Sequence, residues 1–375
     1  MHSFKAGNYI NQGYYKSFQP NPTNRLWQID DIEIIELLSK ADRQLGRLDM
    51  YSEYIPNIDL FISMHVFKEA TQSSKIEGTQ TNMEEALLDR KHVSSEKRDD
   101  WEEVQNYVEA MRSANQDLEN LPFSTRLIRN THHVLMQGVR GEHKQPGAFR
   151  TSQNWIGGST INDALFVPPI HESIPDLMSD LEQFVHNEEL HLPELLKAAI
   201  VHYQFETIHP FLDGNGRVGR LLITLYLVSR KILKKPILYI SDYFERNRIH
   251  FYDNLMRVRE KDDIEQWVKF FLRGVIETAQ NGIQTFDGIL QLQKQVDESL
   301  QSLGNRTLNA QKVVQQLYKN PFMTAGQVKE AADVSMPTAY NLISSLEKLG
   351  ILEELTGAER NRLYVFKDYL RLFTS

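Results

Sequence analysis

Between two apolar stretches lies the run His209-Pro210-Phe211-Leu212-Asp213-Gly214-Asn215-Gly216-Arg217-Val218-Gly219-Arg220. It brings a proton acceptor, a hard oxygen ligand, a flexible turn and two permanent cations together within twelve residues. His209 can take a proton near neutral pH. Asp213 suits magnesium, and the Asn215 amide can donate to a phosphate oxygen. Pro210 ends one helix, Gly214 and Gly216 allow a tight turn, and a second helix is expected to begin near Arg217. A helix start after such a turn offers unpaired N–H groups and the positive end of the dipole to an anion. Arg217 and Arg220, three apart in the first turn, can face that same anion. Taken singly, the histidine is more often structural, the glycines a plain turn and the arginines a solvated face. In this order they point to phosphoryl or nucleotidyl transfer.

The elements that must position this loop are helical. Apolar residues recur at spacings of three and four in Ile32 to Leu38, Trp101 to Met111, Leu177 to Val185 and Leu195 to Phe205. The segment Gly147 to Ile170 departs from the pattern: it is rich in Gly, Thr, Asn and aromatic residues and ends in Pro168-Pro169, which predicts a short β flap. Gln280 to Leu303 is polar and predicts a connecting helix, with a boundary at Gly304-Asn305. Beyond it come three helices (Asn309 to Lys319, Ala325 to Ala332, Pro337 to Leu349) and two strands (Ile351 to Leu355, Arg362 to Phe366) around the loop Thr356 to Asn361. That order predicts a winged helix-turn-helix with Met336 to Leu349 as its recognition helix. Three units follow: a helical region over 1–110, a core over 111–304 and the winged helix over 305–375.

Composition limits what such a chain can do. At 375 residues, 41% hydrophobic and 25% charged, it is an ordinary multi-unit globular protein. A net charge of −8 gives no global basic field for nucleic acid or an anionic membrane, so any polyanion site must be local. Met1 to Asn11 lacks the apolar stretch of a signal peptide. The apolar run around Leu221 to Val228 is far short of the ~20 residues that span a bilayer, so the expectation is a soluble, cytoplasmic chain with no membrane partner. With no cysteine, disulfides and thiolate catalysis are excluded.

The loop resembles the signature of the Fic family: His-Pro-Phe, an acidic residue, Gly-Asn-Gly-Arg and a second Arg three further on, with every defining position matched. The resemblance covers roughly Leu121 to Ala279. It implies a mainly α fold, a Fic-type helical bundle with a β-hairpin flap, to which the winged helix is appended. The activity it implies is adenylyl transfer, in which a target Ser, Thr or Tyr hydroxyl attacks the α-phosphate of ATP with Mg2+ present. By the same resemblance His209 is the base, Asp213 the magnesium ligand, and Asn215 with the backbone of Gly214, Gly216, Val218 and Gly219 the anion cradle. Arg217 and Arg220 then neutralise the β- and γ-phosphates. A kinase-like branch carries lysine where this chain has Gly216, so AMP transfer is favoured over phosphorylation. Asn247 and Tyr252, in the segment after the motif helix, are candidate nucleotide contacts.

Two further segments gain meaning from the resemblance. Residues 147–170 would dock the target protein by main-chain pairing at an exposed edge. Ser73-Ser74-Lys75-Ile76-Glu77-Gly78 matches the family's inhibitory helix, with Ser73 and Glu77 on one face and Gly78 as a C-cap. Glu77 would then hold Arg220 away from the γ-phosphate. In some relatives the same carboxylate also helps water to remove AMP. Self-modification and a homodimer remain open as partners.

The C-terminal unit carries 9 basic and 7 acidic residues from Asn305 to Ser375 and is poorly equipped for DNA. Ser335, Thr338, Asn341, Ser344 and Ser345, with Arg360 and Arg362 at the wing, are its polar candidates, and protein contact is favoured over DNA. The rival readings are a transcriptional regulator with a nucleotide-sensing core, and an enzyme that transfers a different phosphate-containing group.

Overall fold

The computed structural model describes residues 4–55, 58–138, 142–357 and 362–374. An antiparallel hairpin opens the chain, β1 (Gly7–Asn11) and β2 (Lys16–Pro20), in register from Gly7 opposite Pro20 to Asn11 opposite Lys16. Helices α1 (Ile32–Tyr54), α2 (Ile58–Ile76), α3 (Met83–Leu87), α4 (Arg98–Asp117) and α5 (Thr125–Leu135) precede the flap segment. After it come α6 (Ile174–His186), α7 (Glu194–Ile208), α8 (Asn215–Ser229), α9 (Ser241–Arg246), α10 (Arg248–Lys261) and α11 (Ile264–Gln301). The C-terminal part adds α12 (Thr307–Lys319), β3 (Phe322–Thr324), α13 (Ala325–Ala332), α14 (Met336–Lys348), β4 (Glu353–Glu354), β5 (Leu363–Val365) and α15 (Lys367–Thr374). Its three strands lie in the order β3-β5-β4, all antiparallel.

The centre of the bundle is the pair α7 and α8. From Leu195 to Ile208 every residue of α7 is buried, as is most of α8 up to Leu227. Helices buried on all sides form the inside of a core, and α2, α4, α5, α6 and α11 supply the surround. Polar groups on this pair are bonded across it: the His202 Nδ1 meets the Gly219 carbonyl at 2.9 Å, and Trp267 Nε1 of α11 donates to Ala199 O at 2.8 Å. The turn between α7 and α8 is therefore delivered to the surface by two rigid rods. No helix among the described residues is long and apolar enough to cross a membrane.

Four features differ from the sequence expectation. The N-terminal region is not wholly helical, since β1 and β2 pair beside the flap. The flap itself has one β-bridge, Ile156 to Phe166, instead of two regular strands. Its turn holds Gly157 and Gly158 at positive φ, and Asp163 collects Ser159 and Thr160 in a compact tip. The polar stretch Gln280 to Leu303 is the second half of a single 38-residue helix, α11, whose apolar stripe continues through Ile283, Phe286, Ile289, Val296 and Leu300.

The fourth difference is at the C-terminus, where β3 and α15 join the expected elements. These elements pack closely on the bundle: Phe61 of α2 meets Tyr318 and Tyr369 with ring centroids 5.3 and 6.4 Å apart, and Asn320 Nδ2 donates to Leu87 O. Ser345 is buried and bonded to Asn341 O and Arg306, which removes it from the polar candidates on that helix. Arg362 pairs with Glu354, while Arg360 and the rest of 358–361 lie outside the described residues.

Candidate active site

Helix α7 ends at Ile208, and His209 caps it in the left-handed conformation, φ +50° and ψ +59°. Histidine tolerates that region better than β-branched residues do. Two arginines fix the turn from outside. Arg150, 2% exposed, donates Nε to the His209 carbonyl at 3.0 Å and its backbone N to Pro210 O at 2.9 Å. Its other two nitrogens reach Ser152 O and Pro169 O, one at each end of the flap. Arg259 of α10 binds Thr207 Oγ1 and Glu206 O and lies 3.8 Å over the Phe166 ring. Flap and histidine are thus one mechanical unit.

His209 is a neutral imidazole. Burial pushes its pKa down to about 3, helped by the nearby charges of Arg259 and Arg150, while Glu77 and the Glu206 carbonyl pull the other way. Its Nδ1 makes no hydrogen bond of regular geometry. A neutral ring presents an unprotonated nitrogen at physiological pH, the first requirement of a general base, and a pKa this far below 7 makes it a weak one.

The loop after it is closed by its own side chains. Asn215 accepts from Phe211 N at 2.9 Å and donates to Phe211 O at 2.8 Å, and it is 1% exposed. Its Oδ1 and one Nδ2–H therefore shape the loop, and the second Nδ2–H is left for a ligand. Helix α8 begins at Asn215, two residues before the position expected from sequence. Gly214 precedes it at φ +72°, and a Cβ there would lie 2.6 Å from Met136 Sδ. Gly214→Ala should cost about 1–2 kcal/mol through the left-handed backbone alone. Chemical denaturation checks this, with a smaller change expected for alanine at Gly78, whose surroundings are open.

His132 of α5 supports the loop from beneath. Its ring stacks on Phe211 at 3.7 Å, its Nδ1 accepts from Gly147 N, and its Nε2 therefore carries the proton that meets Asp213 O at 3.1 Å. Burial first lowers its pKa, to about 4, which keeps this tautomer neutral. Asp213 turns outward, with 48% of its side chain exposed and Oδ1 accepting from Gly214 N.

The two arginines of α8 are deeply buried, and each faces a carboxylate. Arg220, 1% exposed, donates Nε to Ser73 Oγ at 2.8 Å and Nη2 to both Ser73 O and Glu77 Oε1, at 2.9 and 2.8 Å. Arg217 approaches Glu103 of α4 at 3.5 Å. Helix α2 stops at Ile76, so Glu77 stands in the turn just beyond it and Gly78 follows at φ +105°. From there the Glu77 carboxylate leans over the start of α8, and a Cβ on Gly216 would lie 2.3 Å from Glu77 Oε1. Burial works to raise the Glu77 pKa, but Arg220, then Arg217 and His209, outweigh it and hold the group below the ordinary value. Gly219 is equally confined, by the Glu206 carboxyl. Burial pushes Glu206 up to about 7.

The structure thus brings together His209, Asp213, Gly214, Gly216, Arg217, Gly219, Arg220, Ser73 and Glu77, with Val218 buried behind them. Tyr252 is at the site's edge, its hydroxyl pKa raised by burial and by Glu77 while Arg220 opposes. Asn247 joins α9 to α10 with its Nδ2 on Tyr243 O, and no side-chain hydrogen bond among the described residues ties it to the loop. Arg150, His132, Arg259, Glu206 and Glu103 were not anticipated. Their partners are distant in sequence, and only the unusual burial of charge marks them.

The chain matches the "Fic/DOC family N-terminal" model over residues 35–116 and the "Fic/DOC family" model over 122–227, together half of its length. It is 26% identical over 271 residues to "Protein adenylyltransferase Fic" of Aedes aegypti, covering 68% of this chain and 51% of that protein. The chain therefore spans about half the length of that curated relative. A Fic family protein from Desulfovibrio desulfuricans G20 shares the fold over 91% of this chain and 98% of its own, with a TM-score of 0.59 at 21% identity. Fic-1 from C. elegans (residues 134–508) does so over 69% and 74%, with a TM-score of 0.51 at 21% identity. The family models, the relatives and the loop agree, and the chain belongs to the Fic/DOC family.

Proposed function

We propose that the protein is a nucleotidyltransferase that moves AMP from ATP to a Ser, Thr or Tyr hydroxyl of a target protein in the cytoplasm, and that Glu77 restrains it. The observation that carries this reading is the Glu77 carboxylate resting on Gly216 and bonded to Arg220. It stands where an anionic ligand of the α8 start would go. The name of the Aedes relative supports AMP as the group transferred.

The target oxygen forms a bond to the α-phosphorus, and the bond from that phosphorus to the α–β bridging oxygen breaks in line, releasing pyrophosphate. The hydroxyl proton passes to the neutral His209 ring. Backbone N–H groups from Gly214 onward and the positive end of the 15-residue α8 stabilise the charge that develops. Arg217 and Arg220 neutralise the outer phosphates once Glu77 withdraws. Asp213 fits Mg2+, which commonly takes one or two protein carboxylates and completes its shell with phosphate and water. Bound there, the ion would offset phosphate charge.

The flap supports target docking through its backbone, with one restriction: Val167 O already accepts from Phe18 N of β2 at 2.8 Å. The open part is the stretch around Trp155 and Leu165, 41% and 75% exposed. The C-terminal elements, read as a winged helix over 305–375, are assigned to protein contact, since their inner faces lie on α2 and α11.

Labelled donors test the reading. Purified Glu77→Gly incubated with ATP labelled on the α-phosphorus should label protein, and ATP labelled on the γ-phosphorus should not. Transfer of the γ label would mean phosphorylation, and labelling from neither donor would remove the activity.

A further inference from the structure

Arg217 has a carboxylate of its own. Its Nη1 lies 3.5 Å from Glu103 Oε2, with 8% of the arginine side chain and 19% of the glutamate exposed. Asp213 is farther away, at 4.0 Å, and half exposed. The oxygen that faces Arg217 also accepts from Thr79 Oγ1 at 3.1 Å. Thr79 is two residues beyond Glu77, so one carboxylate oxygen joins the Glu77 segment, α4 and the first arginine of the loop. The Arg217 Nε makes no hydrogen bond among the described residues, and Nη2 has the weak acceptor Met136 Sδ at 3.8 Å.

A buried guanidinium needs both a counter-charge and a fixed plane, because its five donors are useful only where they point at acceptors. Glu103 supplies the counter-charge to Arg217 and one anchor for its plane, without occupying the anion site. The atoms nearest a Cβ on Gly216 belong to Glu77 and Arg220, and Glu103 is not among them. Glu77 and Glu103 therefore act differently on neighbouring arginines, one over the helix start and one from the α4 side.

We infer that Glu103 is a positioning residue that orients Arg217 toward the β-phosphate, and that Thr79 links this alignment to the segment carrying Glu77. The inference rests on the AMP-transfer reading, in which Arg217 meets a phosphate beyond the α position. Calorimetric titration of ATP, ADP and AMP into Glu77→Gly, with and without Glu103→Gln, tests it. The added substitution should weaken ATP and ADP about tenfold, the loss of one charge-assisted bond, and leave AMP within about twofold. Glu103→Asp, which keeps the charge, should recover part of the difference.

Equal weakening of all three nucleotides would make Glu103 a support of the fold only, and tighter ATP binding would make it a second restraint. Either result, or no change, overturns the inference. If Glu103→Gln does not fold, Thr79→Val in the same background should still weaken ATP more than AMP, and equal effects would sink the idea. Failure of Glu77→Gly alone to bind ATP would instead strike the AMP-transfer reading itself.

Discussion

Glu77→Gly should raise AMP transfer between about ten- and a hundredfold over the unsubstituted protein, measured as adduct formed per minute at saturating ATP. The range follows from the strength of the bond that the substitution removes. One charge-assisted bond to Arg220, at 2.8 Å, holds the carboxylate over the α8 start, and such bonds contribute about 1.5–3 kcal/mol. Stability should move the opposite way. Arg220 is 1% exposed and keeps only its bonds to Ser73 once Glu77 is gone. With 39% of the Glu77 side chain accessible, solvent softens that loss, and Tm should fall by no more than about 5 °C. A more active and less stable variant distinguishes release of a restraint from general tightening of the fold. Unchanged transfer would separate the Glu77–Arg220 pair from regulation.

His209→Ala in the Glu77→Gly background should reduce transfer by about 10²–10⁴, the usual contribution of a positioned base. ATP affinity should stay within about threefold, because the groups assigned to the phosphates are backbone amides and the α8 arginines. The loop should survive the substitution, since Arg150 grips the His209 carbonyl and not its ring. The ring's charge state gives an independent check. Burial, Arg259 and Arg150 push its pKa down to about 3. Loss of Glu77, which works to raise it, should lower it further. In a magnetic-resonance titration of the histidine rings, His209 should therefore show no protonation between pH 8 and pH 5 in either background. A midpoint near the ordinary value of about 6.5 would contradict the buried, neutral base.

The Glu77 hexapeptide gained meaning only from the family resemblance, whereas the loop was legible because its chemistry is local. The residue types follow at fixed spacing, and a helix end or a Gly-rich turn converts that spacing into geometry with little help from elsewhere. The central helices were legible for a related reason: apolar residues at spacings of three and four over Leu195 to Phe205 mark α7 as a packed helix. The groups that hold the site were not legible. Arg150 acts on His209 across 59 residues of sequence, His132 on Asp213 across 81 and Glu103 on Arg217 across 114. Periodicity does not record which buried cation meets which carbonyl.

Asn215 has a second role that its residue type did not reveal: its amide closes the turn on Phe211 N and O. In the flap, the glycine-rich composition pointed to a hairpin, and its tip turns at Gly157-Gly158. Gly157 and Gly158 at positive φ interrupt the extended backbone, and one bridge forms, Ile156 to Phe166. The polar surface of α11 disguised the continuity of its apolar stripe, and a separate connecting helix was expected where a single rod runs on to Gln301.

The central claim is that a nucleotide's phosphates lie on the first amides of α8 beside the His209 ring when Glu77 no longer stands there. A crystal structure of Glu77→Gly with ATP and magnesium measures this directly. Phosphate oxygens should be bonded to backbone N–H groups at Gly214 to Gly216, with the outer phosphates on Arg217 and Arg220 and the α-phosphorus facing His209. Nucleotide bound elsewhere, or absent from a vacant α8 start at saturating concentration, would contradict it.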